Sequence, residues 1–221
     1  MLEQERRLVA DALEDVFGFQ LLQIGTWGEN SRFFEAARTQ RQTLLAAALD
    51  GRADLCCKTS QLAIAADSVD AVLLPHTLEF EPDPHAVLRE VQRILVSEGH
   101  LLILSFSAGG TWALRHRWSE EGFPPGLVQL ISDRRARDWL ALLGFEVTAA
   151  KRYLFRLPFP PRQTVNLSSS GWMESSGLLP ANAYLLKARK RVYALTPVRP
   201  KWRERRPVVG GLVEPTTPVR S

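Results

Sequence analysis

Cysteine is nearly absent from these 221 residues: there are two, Cys56 and Cys57, side by side. Neighbouring residues on a strand point to opposite faces, which argues against a disulfide or a shared metal; burial of one or both as small apolar side chains is the expectation. No run approaches 18 apolar residues, so no membrane span is expected. The opening "MLEQERRLVADALEDVF" lacks the continuous apolar core of a secretion signal and points to a cytoplasmic protein. Missing as well are a phosphate-binding Gly-Lys-Ser/Thr loop, a Gly-x-Ser-x-Gly elbow and any His/Cys/Asp/Glu grouping at metal spacing. What remains is ordinary globular composition, 45% hydrophobic and 24% charged, in a chain long enough for one α/β domain or one domain plus a tail.

Charge is unevenly placed. Residues 187–221 carry ten Lys/Arg and two Asp/Glu, a balance of +8, so the other 186 residues sum to −4 of the formal +4. The boundary falls near residue 192. Residues 1–192 read as the folded body. Residues 193–221, rich in Pro and charge and without periodicity, read as a disordered tail.

Strand-like and helix-like segments alternate through the body. A helix is predicted over 2–17, with Leu8, Val9, Leu13, Val16 and Phe17 on one face. "FQLLQIG" (19–25) reads as a buried strand, 29–38 as a short helix, 43–50 as either strand or helix, and 53–58 as a short strand. A strand over 71–74 ends at Pro75. Asp83 and Pro84 then open a helix whose apolar face is Val87, Leu88, Val91, Ile94 and Leu95. "SEGH" breaks it at Gly99, and "HLLILSF" (100–106) suits a central parallel strand covered on both faces. Ser132 caps a further helix with Trp139, Leu142 and Leu143 inward. Gly144 ends it before the strand at 145–153, and 183–192 reads as the last strand. The alternation predicts a doubly wound, mainly parallel sheet that binds ligands at the carboxyl ends of its strands.

The segment "LAIAADSVDAVLLPHTLEFEPDPHAVLREVQRILVSEGHLLILSF", with "ARDWLALLGFEV" and "AYLLKARKR", resembles the class I S-adenosylmethionine-dependent methyltransferases of the type 11 group. Within that group it is similar to a small, poorly characterised bacterial subgroup with a degenerate first loop. The resemblance covers about residues 19–192. It implies a Rossmann-like sheet of seven strands, mostly parallel with one antiparallel, helices on both faces, and S-adenosylmethionine over the ends of the first four strands. The cofactor-binding positions it implies are Gln23, Gly25, Thr26, Trp27, Gly28, Thr59 and Pro75.

The pattern is broken at three places. Where the family has an acid and then Gly-x-Gly-x-Gly, this chain has Gln23, Gly25, Trp27 and Glu29, with Gly28 out of phase. Glycine matters there because the backbone approaches the ligand closely. At the end of the second strand only Asp50 is available for a ribose, and it reads as a turn residue before it reads as a ribose ligand. After the third strand Lys58 and Thr59 replace the adenine-binding Asp; Thr59 can accept a hydrogen bond and Lys58 cannot. At about 1.5–3 kcal/mol per charged hydrogen bond, two lost carboxylate handles weaken binding by roughly a hundred- to ten-thousand-fold. A Trp27 face near a sulfonium returns about 1–2 kcal/mol through cation–π attraction.

Methyl transfer asks the protein mainly for alignment, with a base where the acceptor carries a proton. His76 is the candidate base, beside Glu79 in the loop after the fourth strand. The alternative is that His76 only hydrogen-bonds its loop and Glu79 is solvated. His85, in the first turn of a helix, reads as partly exposed, and His100 as surface. Residues 105–127 hold Gly109, Gly110, Trp112, Arg115, His116 and Trp118, a lid over the acceptor or a helix packing its tryptophans on the body. The methyl acceptor is unspecified, small molecule or macromolecule. Nucleic acid is a candidate partner through residues 187–206, where one Trp stands among arginines. The lead expectation is a methyltransferase with a weakened cofactor site. A non-catalytic scaffold of the same fold is the alternative, and it expects Trp27 to fill the old cofactor cleft.

Overall fold

The computed structural model describes residues 1–28, 32–47, 51–110, 113, 126–154 and 181–192. Seven strands form one sheet: β1 (Phe17–Ile24), β2 (Arg38–Ala46), β3 (Leu55–Cys56), β4 (Val69–Pro75), β5 (Leu95–Phe106), β6 (Phe145–Tyr153) and β7 (Ala183–Lys190). Their order is β3-β2-β1-β4-β5-β7-β6. All neighbours are parallel except at β7, which runs antiparallel to both β5 and β6. The strand order reverses between β1 and β4, so the crevice between their carboxyl ends is where a ligand belongs.

Central β5 explains the sheet's stability. Leu101 to Phe106 are each at most 1% exposed, which requires cover on both faces. One face is covered by α2 (Pro84–Ile94) and α3 (Asp133–Leu142), through Val87, Leu88, Val91, Ile94, Trp139 and Leu140. The other is covered by α1 (Leu2–Leu13), through Val9 and Leu13. Both α2 and α3 begin as their sequences require. Asp83 Oδ1 accepts from the Ala86 N–H at 3.0 Å, ahead of Pro84 in the first turn. Ser132 Oγ accepts from the Arg135 N–H at 3.3 Å. Replacing Asp83 by Ala is expected to lower stability by about 1 kcal/mol, read as a lower urea midpoint with an unchanged slope.

Several boundaries differ from expectation, each for a local reason. Helix α1 ends at Leu13, and Phe17 opens β1 with its ring 62% exposed. The expected helix at 29–38 does not form among the described residues: Arg38 already pairs with Phe17, and consecutive Phe33 and Phe34 are both buried, which a one-faced helix cannot arrange. Of the ambiguous stretch at 43–50, residues 43–46 are the end of a longer strand that starts at Arg38, and 48–50 lie outside the described residues. Strand β5 begins at Leu95, straight from α2, and takes Gly99 into itself, with Glu98 at φ +64 making the irregular step. In α3 Trp139 and Leu140 face inward and Leu143 packs half-buried against the core, while Leu142 is 84% exposed. Cys56 is exposed and Cys57 half-buried, both free.

Candidate functional site

The loop leaving β1 is shaped by its glycines. Gly25 sits at φ +96, and its N–H donates to the Leu45 carbonyl at 2.8 Å. A Cβ there would lie 2.6 Å from Thr77 Oγ1. That hydroxyl is fixed, donating to the Ile24 carbonyl at 2.5 Å. Gln23, in place of an acid, is fully buried and braces the loop. Its Oε1 accepts from the Phe33 N–H at 2.9 Å, and its Nε2 donates to the Gly25 carbonyl at 3.1 Å. Thr26 is exposed, and Gly28 (φ +77) lies under Leu2 of α1. Thr59 is buried after β3, and Pro75 is the buried last residue of β4. Glu29, Asp50, Trp112, Arg115, His116 and Trp118 lie outside the described residues.

Beside this loop the structure assembles a buried polar cluster from four parts of the chain. His76 follows β4 at φ +53, a left-handed turn that His tolerates better than most residues. The turn carries its ring under Trp27 and over Phe106, with centroids 4.6 and 4.0 Å away. Its Nδ1 faces Glu79 Oε1 at 3.1 Å, and its Nε2 faces Glu5 Oε1 at 3.2 Å, with all three side chains fully buried. Glu5 also accepts from the Tyr153 hydroxyl at 3.2 Å and from the Trp27 indole N–H at 3.3 Å. Glu79 Oε1 accepts from the Phe106 N–H at 2.6 Å.

The electrostatics follow from this geometry. Burial alone would lower the His76 pKa, but hydrogen bonds to Glu5 and Glu79, together with their charges, raise it to about 9. His76 is therefore an imidazolium at neutral pH, with both N–H groups donated to carboxylates. Burial, and then the nearby Glu5, push the Tyr153 phenol well above its usual range. Both ring nitrogens of His76 are thus engaged by carboxyl groups, and Glu79 is buried rather than solvated.

Glu5, Tyr153 and Phe106 were not among the sequence candidates. For Glu5 a signal existed: with Val9 and Leu13 it forms an i, i+4, i+8 stripe, and all three are buried. A charge on an otherwise inward stripe needs a buried partner. Tyr153 gave no local signal.

The remaining histidines are elsewhere. His85 is half-buried and stacks on Trp139 at 4.0 Å. His100 is half-buried within β5 rather than on the surface; burial, and then Lys187, hold its pKa below the ordinary range. The basic run at the end of β7 is largely paired within the protein. Lys187 pairs with Asp15 and donates to the Ala12 carbonyl. Lys190 pairs with Asp67, Arg189 with Glu98, and Arg191 with Glu98 and Glu146. The rest of the proposed basic segment, 193–206, lies outside the described residues. A shallow cavity of about 220 Å³ lies near Ser107, Ser132, Arg152 and Tyr184, at the same end of the sheet. Among the described residues no helix is long and apolar enough to cross a membrane.

Residues 20–103 match the family model described as a methyltransferase domain, of type 11. The chain has the class I, type 11 methyltransferase fold. An S-adenosylmethionine-dependent methyltransferase from Mesorhizobium loti superposes on 83% of this methyltransferase-fold chain and 96% of its own length, at 16% identity and TM-score 0.59. The [4+2]-cyclase SpnF superposes on 86% of this chain and 81% of its own, at 19% identity and TM-score 0.60. In sequence, the chain is 32% identical over 139 residues to the uncharacterized protein YafS of Escherichia coli K12, a match covering 62% of this chain and 57% of the relative.

Proposed function

We propose that this methyltransferase-fold chain binds an adenosyl ligand at the Gly25 loop with low affinity and transfers its methyl group to an unidentified acceptor. The observation that carries the reading is the packing of Trp27 against His76 and, edge-on, against Phe106 at the carboxyl ends of β1 and β4. The indole lies at the strand-order reversal, where the fold seats its ligand, so a ligand must displace it and lose its contacts. Thr59 supplies a hydroxyl for an adenine in place of a carboxylate. The cavity near Ser107 and Tyr184 is the proposed place of the acceptor.

Isothermal titration with S-adenosylhomocysteine tests this. Weak binding by the wild-type protein is expected, tightened at least tenfold by Trp27→Gly, which removes the obstructing ring and restores a loop glycine. Neither heat nor a thermal shift at millimolar ligand, in either protein, would remove the enzyme reading. The same Trp27 packing favours the second reading, a non-catalytic scaffold with a closed cleft, and that null result is the one it expects.

A further inference from the structure

We propose that α1 is a lid over the Gly25 loop and that Glu5 is the residue that latches it shut. The lid inference rests on the cofactor-cleft reading for its purpose, though not for its test. Glu5 is the one carboxylate of α1 that is fully buried; Glu3, two residues away, is exposed and pairs only with Arg7 of the same helix. From inside the protein Glu5 receives three donors on three separate elements: His76 after β4, Tyr153 at the end of β6 and Trp27 on the β1 loop. Leu2 closes the same face, with its methyl groups 2.7 and 2.8 Å from where a Gly28 Cβ would stand.

The helix is short and its own cohesion is slight. A 12-residue helix is marginal in water, so its docking decides whether it stays. Val9 and Leu13 hold its carboxyl-terminal half on the sheet. The amino-terminal half, over the cleft, is held by Glu5 and by half-buried Met1 and Leu2. Withdrawing Glu5 frees three things together: the indole of Trp27, the Nε2 of His76 and the mouth of the loop. Freed from Glu5 the imidazolium still holds both its protons; once the Nε2 proton has passed to the Glu5 carboxylate or to water, the neutral ring, held by Glu79, is able to take a proton from an acceptor.

The groups around His76 are Glu5 from α1, Glu79 from its own loop and, through Glu5, Tyr153 from β6; the rings of Trp27 and Phe106 complete its surroundings. The latch therefore weakens when the imidazolium loses its proton.

Amide hydrogen exchange on the full chain, without ligand, reads the lid directly. In Glu5→Gln the amides at the amino-terminal end of α1 are expected to exchange at least tenfold faster than in wild type, with those of α2 unchanged. Glu3→Gln is the control and should match wild type. Equal α1 exchange in E5Q and E3Q would overturn the latch. If E5Q does not fold, wild type alone decides: after correction for intrinsic rates, α1 should open more readily at pH 10 than at pH 7 relative to α2. Parallel behaviour of the two helices would overturn it. A chain whose α1 loosens in E5Q but which never binds S-adenosylhomocysteine sinks the cofactor reading and leaves the lid. A chain that binds the ligand with α1 unmoved by E5Q sinks only the lid.

Discussion

Raising the pH from 6.5 to 10 is expected to lower the stability of this fold by about 3 kcal/mol through His76 alone. The sign follows from which state holds the proton more tightly. His76 has a folded pKa of about 9 against an ordinary 6.5. Its contribution is complete below about 6.5, where both states are protonated, and is lost as the pH rises through about 9. At roughly 1.4 kcal/mol per unit, the difference amounts to the figure given. Urea unfolding at a series of pH values checks it, with His76→Asn as reference, since Asn tolerates the left-handed φ and does not titrate. The difference between the two curves reads His76 together with the Glu5 and Glu79 carboxyls it contacts. Curves that run parallel from pH 6 to 10 would contradict the buried imidazolium.

The second large effect is at Gly25. Gly25→Ala is expected to cost about 2–4 kcal/mol, combining a strained positive φ with overpacking. The new Cβ would meet Thr77 Oγ1 at 2.6 Å, and the hydroxyl cannot turn aside without giving up its bond to the Ile24 carbonyl. A Gly25→Ala, Thr77→Ala double variant separates the two causes. Removing the hydroxyl relieves the collision and leaves the backbone strain, so part of the loss should return. A Gly25→Ala protein within about 0.5 kcal/mol of wild type by urea unfolding would mean the loop is looser than its contacts indicate.

These two residues show how far the sequence carried the site. Gly25 was legible because a glycine after an apolar run, early in an alternating chain, has a backbone reason to be there. The helices at Asp83 and Ser132 were legible because their caps and apolar stripes are local. The order of the sheet was reachable through the resemblance, since it depends on segments in fixed succession. His76 was found by its place after β4, but its partners were not legible, because only the fold supplies Glu5, 71 positions away.

Where expectation failed, tertiary packing had overridden local pattern. The polar run Arg38–Gln42 gives little strand signal, but parallel pairing with β1 fixes it as one. Phe17 fits the apolar stripe of α1 by spacing and still leaves the helix, because β1 needs it to open its register with Arg38. The ion pairs of the basic run at the end of β7 were not legible because its partners, Asp15, Asp67, Glu98 and Glu146, are distant in sequence. Lys187 and Lys190 lie on opposite faces of β7, both buried, with their ammonium groups reaching Asp15 and Asp67.

Trp27 joins these threads. By sequence it obstructs a glycine-rich loop; in the fold it lies against His76, Phe80 and Phe106 and donates to Glu5. The obstruction is thus tied to the lid, and one movement relieves both. A crystal of the full chain soaked in millimolar S-adenosylhomocysteine tests this most directly. The account predicts the ligand over Gly25, with the indole swung off His76. A ligand seated at Gly25 with Trp27 still stacked on His76, or bound only elsewhere, would contradict it.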